Sequence, residues 1–220
     1  MIRKSISFTL LFLSTLSAFA RAGGGGGGSG SVYGRGLGVL LALINLALIS
    51  FFVYRKNKRA RQLISQLHSQ DTIWNYDQMI DFAQDVFVKM QNAWMERNME
   101  LVKDIVTERL YQDYQKKLDW QKVKHEQNII EDIEIKRTEI IGMEDHAGKD
   151  KDRFTIYIKG KLVDYTISDK TGKIYTNKAK GKTSFVDLYY FLRKEEKWVL
   201  DRIENDVSLG KILKAKEIVD

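Results

Sequence analysis

An uncharged apolar run constrains this chain more than any other feature of its sequence. It extends from Leu37 to Tyr54, reads LGVLLALINLALISFFVY and is 18 residues long. At about 1.5 Å per residue, a helix of this length just crosses a hydrocarbon core about 30 Å thick. The sequence therefore predicts a transmembrane helix at residues 37–54.

Basic residues flank this run unequally. Only Arg35 lies shortly before it, whereas five basic residues follow it in the segment RKNKRAR: Arg55, Lys56, Lys58, Arg59 and Arg61. Because such residues favour the cytoplasmic side of a span, the C-terminal part of the chain is predicted to be cytoplasmic. The same five cations, in a basic connector at residues 55–70, are candidates for contact with anionic lipid, at about 1 kcal/mol each. The alternative is that they only fix the orientation of the span.

The N-terminal residues 1–22 have the form of a secretory signal peptide. Arg3 and Lys4 precede an apolar stretch, and Ala20 and Ala22 form an A-x-A arrangement that predicts cleavage after Ala22. The alternative is an uncleaved first membrane helix. In both cases the glycine-rich segment, residues 23–36, lies outside the cytoplasm as a linker or free tail with few side chains to bury.

The net charge of +7 does not indicate a nucleic-acid partner. All acidic residues follow residue 61, and residues 62–220 contain 27 basic and 29 acidic residues. The positive excess therefore belongs to the membrane-proximal end, and no nucleic-acid binding is predicted. The chain has no cysteine, which excludes disulfides and thiol chemistry.

Residues 71–220 begin with a pattern typical of amphipathic helices. Apolar residues recur at steps of three and four, which places them on one helix face: Ile73, Tyr76, Met79, Ile80, Ala83, Val86, Phe87, Met90, Ala93 and Trp94. Asp71 or Thr72 is expected to cap this helix, and residues 96–98 are expected to end it. A second helix is predicted to include Leu101 and Leu118, so that helices occupy roughly residues 72–127.

The apolar period then changes from 3.6 to 2, which predicts strands. They fall within residues 129–143, 153–168 and 182–204, the last of these forming two strands joined by a turn at residues 194–197. Short turns pair successive strands antiparallel. The predicted fold class is α+β, with the helices packed on the concave side of a strongly curved antiparallel sheet of about four strands. The tail at residues 209–219 fits a short closing helix whose placement stays open.

Three stretches of this body resemble one protein family. They are MQNAWMERNMELVKDIVTERLYQDY at residues 90–114, VDYTISDKTGKI at 163–174 and FVDLYYFLRKEEKWVLDRIE at 185–204. In order and spacing they are similar to the Tim44-like domain, whose fold is the cone of helices and curved sheet of the nuclear-transport-factor-2-like (cystatin-like) group. The order of signal, glycine-rich segment, span and domain looks like bacterial, membrane-anchored members.

The resemblance implies that this chain recruits another protein or complex at a membrane. Mitochondrial members recruit a chaperone motor to an import channel, and a related protein holds the ribosome to the membrane. This sequence departs from the mitochondrial members, because it has a span and a short basic connector in place of their long N-terminal region. Contact with a chaperone motor is therefore not expected of this chain, whereas the resemblance still implies a general adaptor or scaffold role. The alternative is a pocket that binds a small ligand or lipid.

No motif of catalysis, cofactor binding or metal binding is present. The segment KAKGKTS at residues 178–184 lacks the first glycine of a phosphate loop, and no histidine pair has metal-ligand spacing. Asp164 and Asp187 interrupt apolar strand patterns, so each is a candidate polar residue inside the cone, where burial would raise its pKa. The alternative for Asp187 is a pair with Arg202 on the neighbouring strand. We expect a non-enzymatic protein of the cell membrane, while its oligomeric state stays open.

Overall fold

A computed structural model describes residues 32–176, 181–205 and 207–219. The predicted signal peptide and the six consecutive glycines lie outside the described residues. The chain divides after Ala47 into two compact units. The described part of the first unit is helical, and most of its side chains from Leu37 onward are exposed.

Helix α1 spans Val32–Leu67 without a break. Within it, Leu37–Leu67 contains the one stretch of the described chain that is long and apolar enough to cross a membrane. The helix does not end where the apolar run ends at Tyr54, but continues through most of the basic connector. In the second unit it contributes four buried side chains: Val53, Ala60, Ile64 and Leu67. The connector is therefore largely part of the folded unit.

Helix α2 spans Tyr76–Met95 and confirms the predicted amphipathic helix. Its buried residues all belong to the predicted face: Met79, Ala83, Val86, Phe87, Met90 and Ala93. The cap differs from the prediction, because the Asn75 side chain accepts a hydrogen bond of 3.1 Å from the backbone N–H of Gln78. Asp71 instead takes part in an ion-pair network described below.

The predicted second helix is divided in two, which corrects the sequence interpretation. A 3-10 segment spans Met99–Ile105, and helix α3 spans Glu108–Val123. Between them Val106 is extended and forms a parallel bridge to Leu200. Thr107 then caps α3 by accepting from the N–H of Leu110 at 3.3 Å. A long-range backbone contact thus interrupts a run that reads locally as one helix.

The strands form one open sheet. They are β1 (Glu126–Asp145), β2 (Arg153–Ser168), β3 (Ile174–Thr176), β4 (Thr183–Lys194), β5 (Lys197–Glu204) and β6 (Glu217–Val219). The order is β5-β4-β2-β1-β6, with β3 paired to β2. Four long strands match the predicted number, whereas β3 and β6 have three residues each and carry no periodic signal. Helix α4 (Leu209–Lys214) precedes β6, which pairs parallel with β1 rather than antiparallel.

Irregularities in β1 bend the sheet. The pairing of β1 with β2 shifts register at three points, one of them between Glu131 and Glu134. Asp132, inside that shift, has a φ of 53°, a backbone conformation expected at a bulge. Gly160 on β2, which pairs with Ile135, allows close approach, because an added Cβ would meet the Glu134 carbonyl and lie 2.7 Å from the Phe185 ring. The sheet is strongly curled as a result.

Each face of the sheet carries its own apolar cluster. The inner cluster joins α2, α3 and the end of α1 to strand residues such as Ile156, Phe191 and Trp198. The outer cluster lies on the opposite face and consists of Val53, Ile141, Tyr157, Leu188 and Ile212, with partly buried neighbours. Helix α1 therefore contributes to both faces, through Val53 to the outer cluster and through Ala60 and the residues after it to the inner one.

A buried arginine joins three connections of the fold. The side chain of Arg193 is fully buried and pairs with Asp71, which precedes α2, and at 3.3 Å with Asp152, which precedes β2. It also bonds to the β4–β5 turn, at 2.9 Å to the Glu196 carboxylate and at 2.9 Å to the Glu195 carbonyl. Burial raises the pKa of Asp71, but the hydrogen bond and charge of Arg193 outweigh it and lower that pKa overall.

The Gly160 contact predicts a sharp difference between two glycine substitutions. Gly160→Ala should lower the free energy of unfolding by about 1–3 kcal/mol, because the new methyl group is forced against Phe185 and the backbone of β1. Gly148→Ala is the matched control, since an added Cβ there meets nothing within 4 Å. Urea unfolding of the full chain in micelles, followed by tryptophan fluorescence, measures both. Equal midpoints for the two variants would contradict the close approach.

Candidate functional site

A cavity of about 320 Å³ opens between the helices and the inner face of the sheet. Its lining comes from α2, α3 and four strands: Met90, Gln91, Trp94, Tyr114, Lys117, Asn128, Ile130, Asp164, Tyr189, Ile203 and Asn205. The site thus combines aromatic and aliphatic walls with a few amide, hydroxyl and charged groups. This is the composition expected of a pocket that binds a ligand or a partner side chain.

Two tyrosines line the cavity, one of them buried and the other partly buried. Tyr189 is 1% exposed and its hydroxyl accepts from the Gln91 amide at 3.4 Å. Tyr114 packs edge-to-face on Trp94, with the ring centroids 5.6 Å apart. Burial raises the pKa of Tyr114 to about 12, with a further contribution from the charge of Asp187, and raises that of Tyr189 well above its usual range. Both hydroxyls therefore stay protonated at neutral pH and can donate hydrogen bonds.

Asp187 lies on the inner face of β4. It is 6% exposed. Tyr189 and Phe191, two and four residues further along β4, lie on the same face and belong to the inner cluster. Its Oδ1 accepts from the Asn205 amide at 3.0 Å. The Arg202 guanidinium, the alternative partner, lies 2.7 Å from Glu204 and stacks over the Tyr190 ring.

Asp164 occupies a different environment. It is exposed and lines the mouth of the cavity, where its Oδ1 accepts from the Asn128 amide at 2.8 Å. Its exposure corrects the expectation of a residue buried inside the cone. Of the two candidate aspartates, the exposed Asp164 lines the cavity, whereas the buried Asp187 is held by Asn205, which also lines it.

The five basic residues of the connector have separate surroundings on α1. Lys56 turns toward the domain: its Nζ donates to the Ala215 carbonyl at 2.5 Å and lies 3.4 Å from Glu217, and its side chain is 14% exposed. The other four are exposed, and two of them stack on aromatic rings, Arg61 on Tyr76 at 4.0 Å and Arg55 on Phe51 at 5.8 Å. Four of the five cations are therefore exposed, although Arg59 also pairs with Glu217 at 3.1 Å.

A second concavity on the outer face was not predicted from the sequence. This outer groove has a volume of about 630 Å³ and is lined by six basic and three acidic residues among others: Arg109, Arg153, Arg202, Lys211, Lys214, Lys216, Glu144, Asp201 and Glu204. The sequence shows a cluster of lysines at residues 211–216, which could have indicated a basic surface. Only the return of this segment to β1 brings these lysines together with residues of the sheet.

The coupling between Asp187 and Tyr114 gives a testable titration. Asp187→Asn should lower the pKa of Tyr114 from about 12, yet leave it above 10, because burial is the larger cause. Absorbance titration near 295 nm, compared with Tyr114→Phe to assign the signal, measures it. The matched control is Asp164→Asn, which removes an exposed carboxylate of the same cavity and should leave this titration unchanged. An equal shift in both variants would contradict the placement of Asp187.

Comparison with known proteins identifies the domain around this cavity. The profile of the Tim44-like domain matches residues 60–205, about two thirds of the chain. A search of curated proteins gives no match. Among solved structures, the crystal structure of the intermembrane space region of chloroplast protein ARC6 is similar over 59% of this chain and 97% of that one, at 8% identity. Its TM-score of 0.42 is too low to carry an argument. The profile match shows that this chain belongs to the Tim44-like domain family.

Proposed function

We propose that this chain is a membrane-anchored, non-catalytic adaptor that binds a protein partner through its Tim44-like domain. The observation that carries the proposal is the continuity of α1. One helix contains the apolar run and also contributes Ala60, Ile64 and Leu67 to the inner cluster of the domain. The helix that contains the apolar run is thus also part of the core of the domain, which would keep the domain at the membrane.

The family supports a role near protein translocation. Tim44-like domains are linked to translocation in general, and we propose that this member serves translocation or membrane-protein assembly. Recruitment of a chaperone motor is not part of the proposal. The partner-binding surface is sought on the domain itself.

Placement of the domain on the cytoplasmic side, in a bacterial inner membrane, rests on charge. Arg55, Lys58, Arg59 and Arg61 are exposed directly after the apolar run, and only Arg35 lies shortly before it. This asymmetry favours a cytoplasmic C-terminal side and a single pass. The same four cations are proposed to contact anionic lipid, whereas Lys56 is engaged by Ala215 and Glu217.

A second candidate function is binding of a small ligand or lipid in the inner cavity. The observation in its favour is that the hydroxyls of Tyr114 and Tyr189, both protonated at neutral pH, lie in a cavity lined by apolar, amide and charged side chains. A volume of about 320 Å³ lies at the lower end of the range for ligand pockets, which favours a small molecule. No group of three or more histidine, aspartate or glutamate residues that could hold a metal occurs in the described ranges.

The proposed topology predicts one-sided labelling. The chain has no cysteine, so single-cysteine variants report one position each. Leu101→Cys, at a side chain that is 50% exposed on the domain, should react with a membrane-impermeant maleimide only after the cells are permeabilised. Ser31→Cys, on the other side of the apolar run, is the control and should react in intact spheroplasts. Labelling of Leu101→Cys in intact spheroplasts would overturn the cytoplasmic placement.

The adaptor role predicts a discrete protein crosslink. A photo-crosslinking amino acid placed singly at Leu101, Trp120 or Val123, all exposed, should capture the same protein reproducibly from at least one position in living cells. The full chain is required, because Val53 and Ala60 of α1 belong to the apolar clusters.

Mass spectrometry of the purified chain tests the second candidate function, the binding of a small ligand. A stoichiometric small molecule without any discrete crosslink would replace the adaptor function by ligand binding.

A further inference from the structure

The C-terminal segment, Leu209–Val219, returns to the end of the apolar run. Ile212 of α4 is fully buried in the outer cluster together with Val53, and the partly buried Ile49 and Phe52 pack against the same cluster. These three α1 residues lie inside the predicted span, residues 37–54. The segment therefore packs on the last turns of the helix that would leave the membrane.

Polar contacts fix the segment in this position. Lys56 donates to the Ala215 carbonyl, and Glu217 accepts from both Lys56 and Arg59, at 3.4 and 3.1 Å. The three residues of β6 pair with Met143–Asp145 of β1. At Gly142 an added Cβ would lie 3.0 Å from the Lys216 carbonyl, so the backbones are in close contact. The segment is a docked element of the fold.

The side of the segment that the domain leaves uncovered is both apolar and basic. Leu213 and Val219 are 48% and 46% exposed, and Lys214 and Lys216 are exposed beside them. On the adjoining turns of α1, Phe51 and Tyr54 are 52% and 58% exposed. Large apolar side chains, aromatic rings and lysines together are typical of elements that lie in the interfacial layer of a bilayer.

The charge beside the segment also favours an anionic surface. The outer groove contains six basic and three acidic residues, with Lys211, Lys214 and Lys216 among the basic ones. Lys211 pairs with Glu204 at 3.2 Å and Lys216 lies 3.7 Å from Glu144, so part of this charge is compensated within the domain. The remaining excess is positive.

We infer that the C-terminal segment lies on the membrane surface as a second lipid contact, with Leu213 in the interfacial layer and Lys211, Lys214 and Lys216 toward anionic headgroups. The inference rests on the proposed membrane anchoring. A run of 18 residues is just long enough to span a bilayer, so Val53 must lie near the interface, and an element packed on Val53 lies there too. The face of the domain that carries this segment then faces the lipid, and a protein partner must bind elsewhere.

Fluorescence quenching of single-cysteine variants tests the inference on the full chain in nanodiscs. Leu213→Cys, labelled with an environment-sensitive dye, should be quenched by a headgroup spin-labelled lipid at least twofold more than labelled Leu101→Cys. Leu46→Cys lies inside the predicted span. When it carries the same dye, its quenching by a lipid with a spin label on the acyl chain reports whether the span is inserted. If Leu46→Cys is quenched and Leu213→Cys behaves like Leu101→Cys, the inference is wrong and the anchoring stands. If Leu46→Cys is not quenched, both are wrong.

The lysines are tested in the same assay. Changing Lys211, Lys214 and Lys216 to glutamine should reduce quenching at position 213 in discs that contain half phosphatidylglycerol. High salt should weaken this quenching in the protein that keeps its lysines, but not in the glutamine variant. The matched control, Lys170→Gln with Lys173→Gln, changes two exposed lysines of the β2–β3 turn and should leave quenching unaltered. Equal quenching in the lysine variant and the control would overturn the proposed headgroup contact.

Discussion

The fold depends on one buried guanidinium. Arg193 at the end of β4 holds Asp71 before α2, Asp152 before β2 and the β4–β5 turn at a single point. Three connections that are far apart in sequence therefore share one counterion. Removing one partner of a buried pair typically costs about 3–5 kcal/mol, because the charge left behind has no water to solvate it. The position of α2 on the sheet, and with it the cavity, follows from this arrangement.

The regular spacing of apolar residues was sufficient to predict the elements that pack on the apolar clusters. The buried face of α2 could be read from its spacing, and β2, β4 and β5 from their β-branched and aromatic residues, because these elements pack on the apolar clusters of the sheet. The break between the 3-10 segment and α3 could not, since it depends on the bridge from Val106 to Leu200. The two three-residue strands have no pattern to detect and exist through pairing alone.

The candidate site was predicted in part for similar reasons. Asp187 keeps the strand alternation that points it inward and is buried, whereas Asp164 interrupts its strand pattern in the same way but is exposed beside Asn128. The basic connector was recognised by its charge, and its apolar face, which packs into the core, was overlooked. Val53, Ala60, Ile64 and Leu67 are spaced at seven, four and three residues, a helical face that continues past the apolar run.

The contact between Lys56 and Glu217 also bears on the order of assembly. The two residues are 161 positions apart, and a ribosome makes the α1 end first. The turns of α1 around Val53 therefore lack part of their cover, Ile212 and its partly buried neighbours, until α4 and β6 have been synthesised. An anchor that inserts early would hold this apolar surface beside the bilayer during that interval, where lipid can shield it from aggregation. Membrane insertion would then act as a step in the folding of the domain as well as a means of locating it.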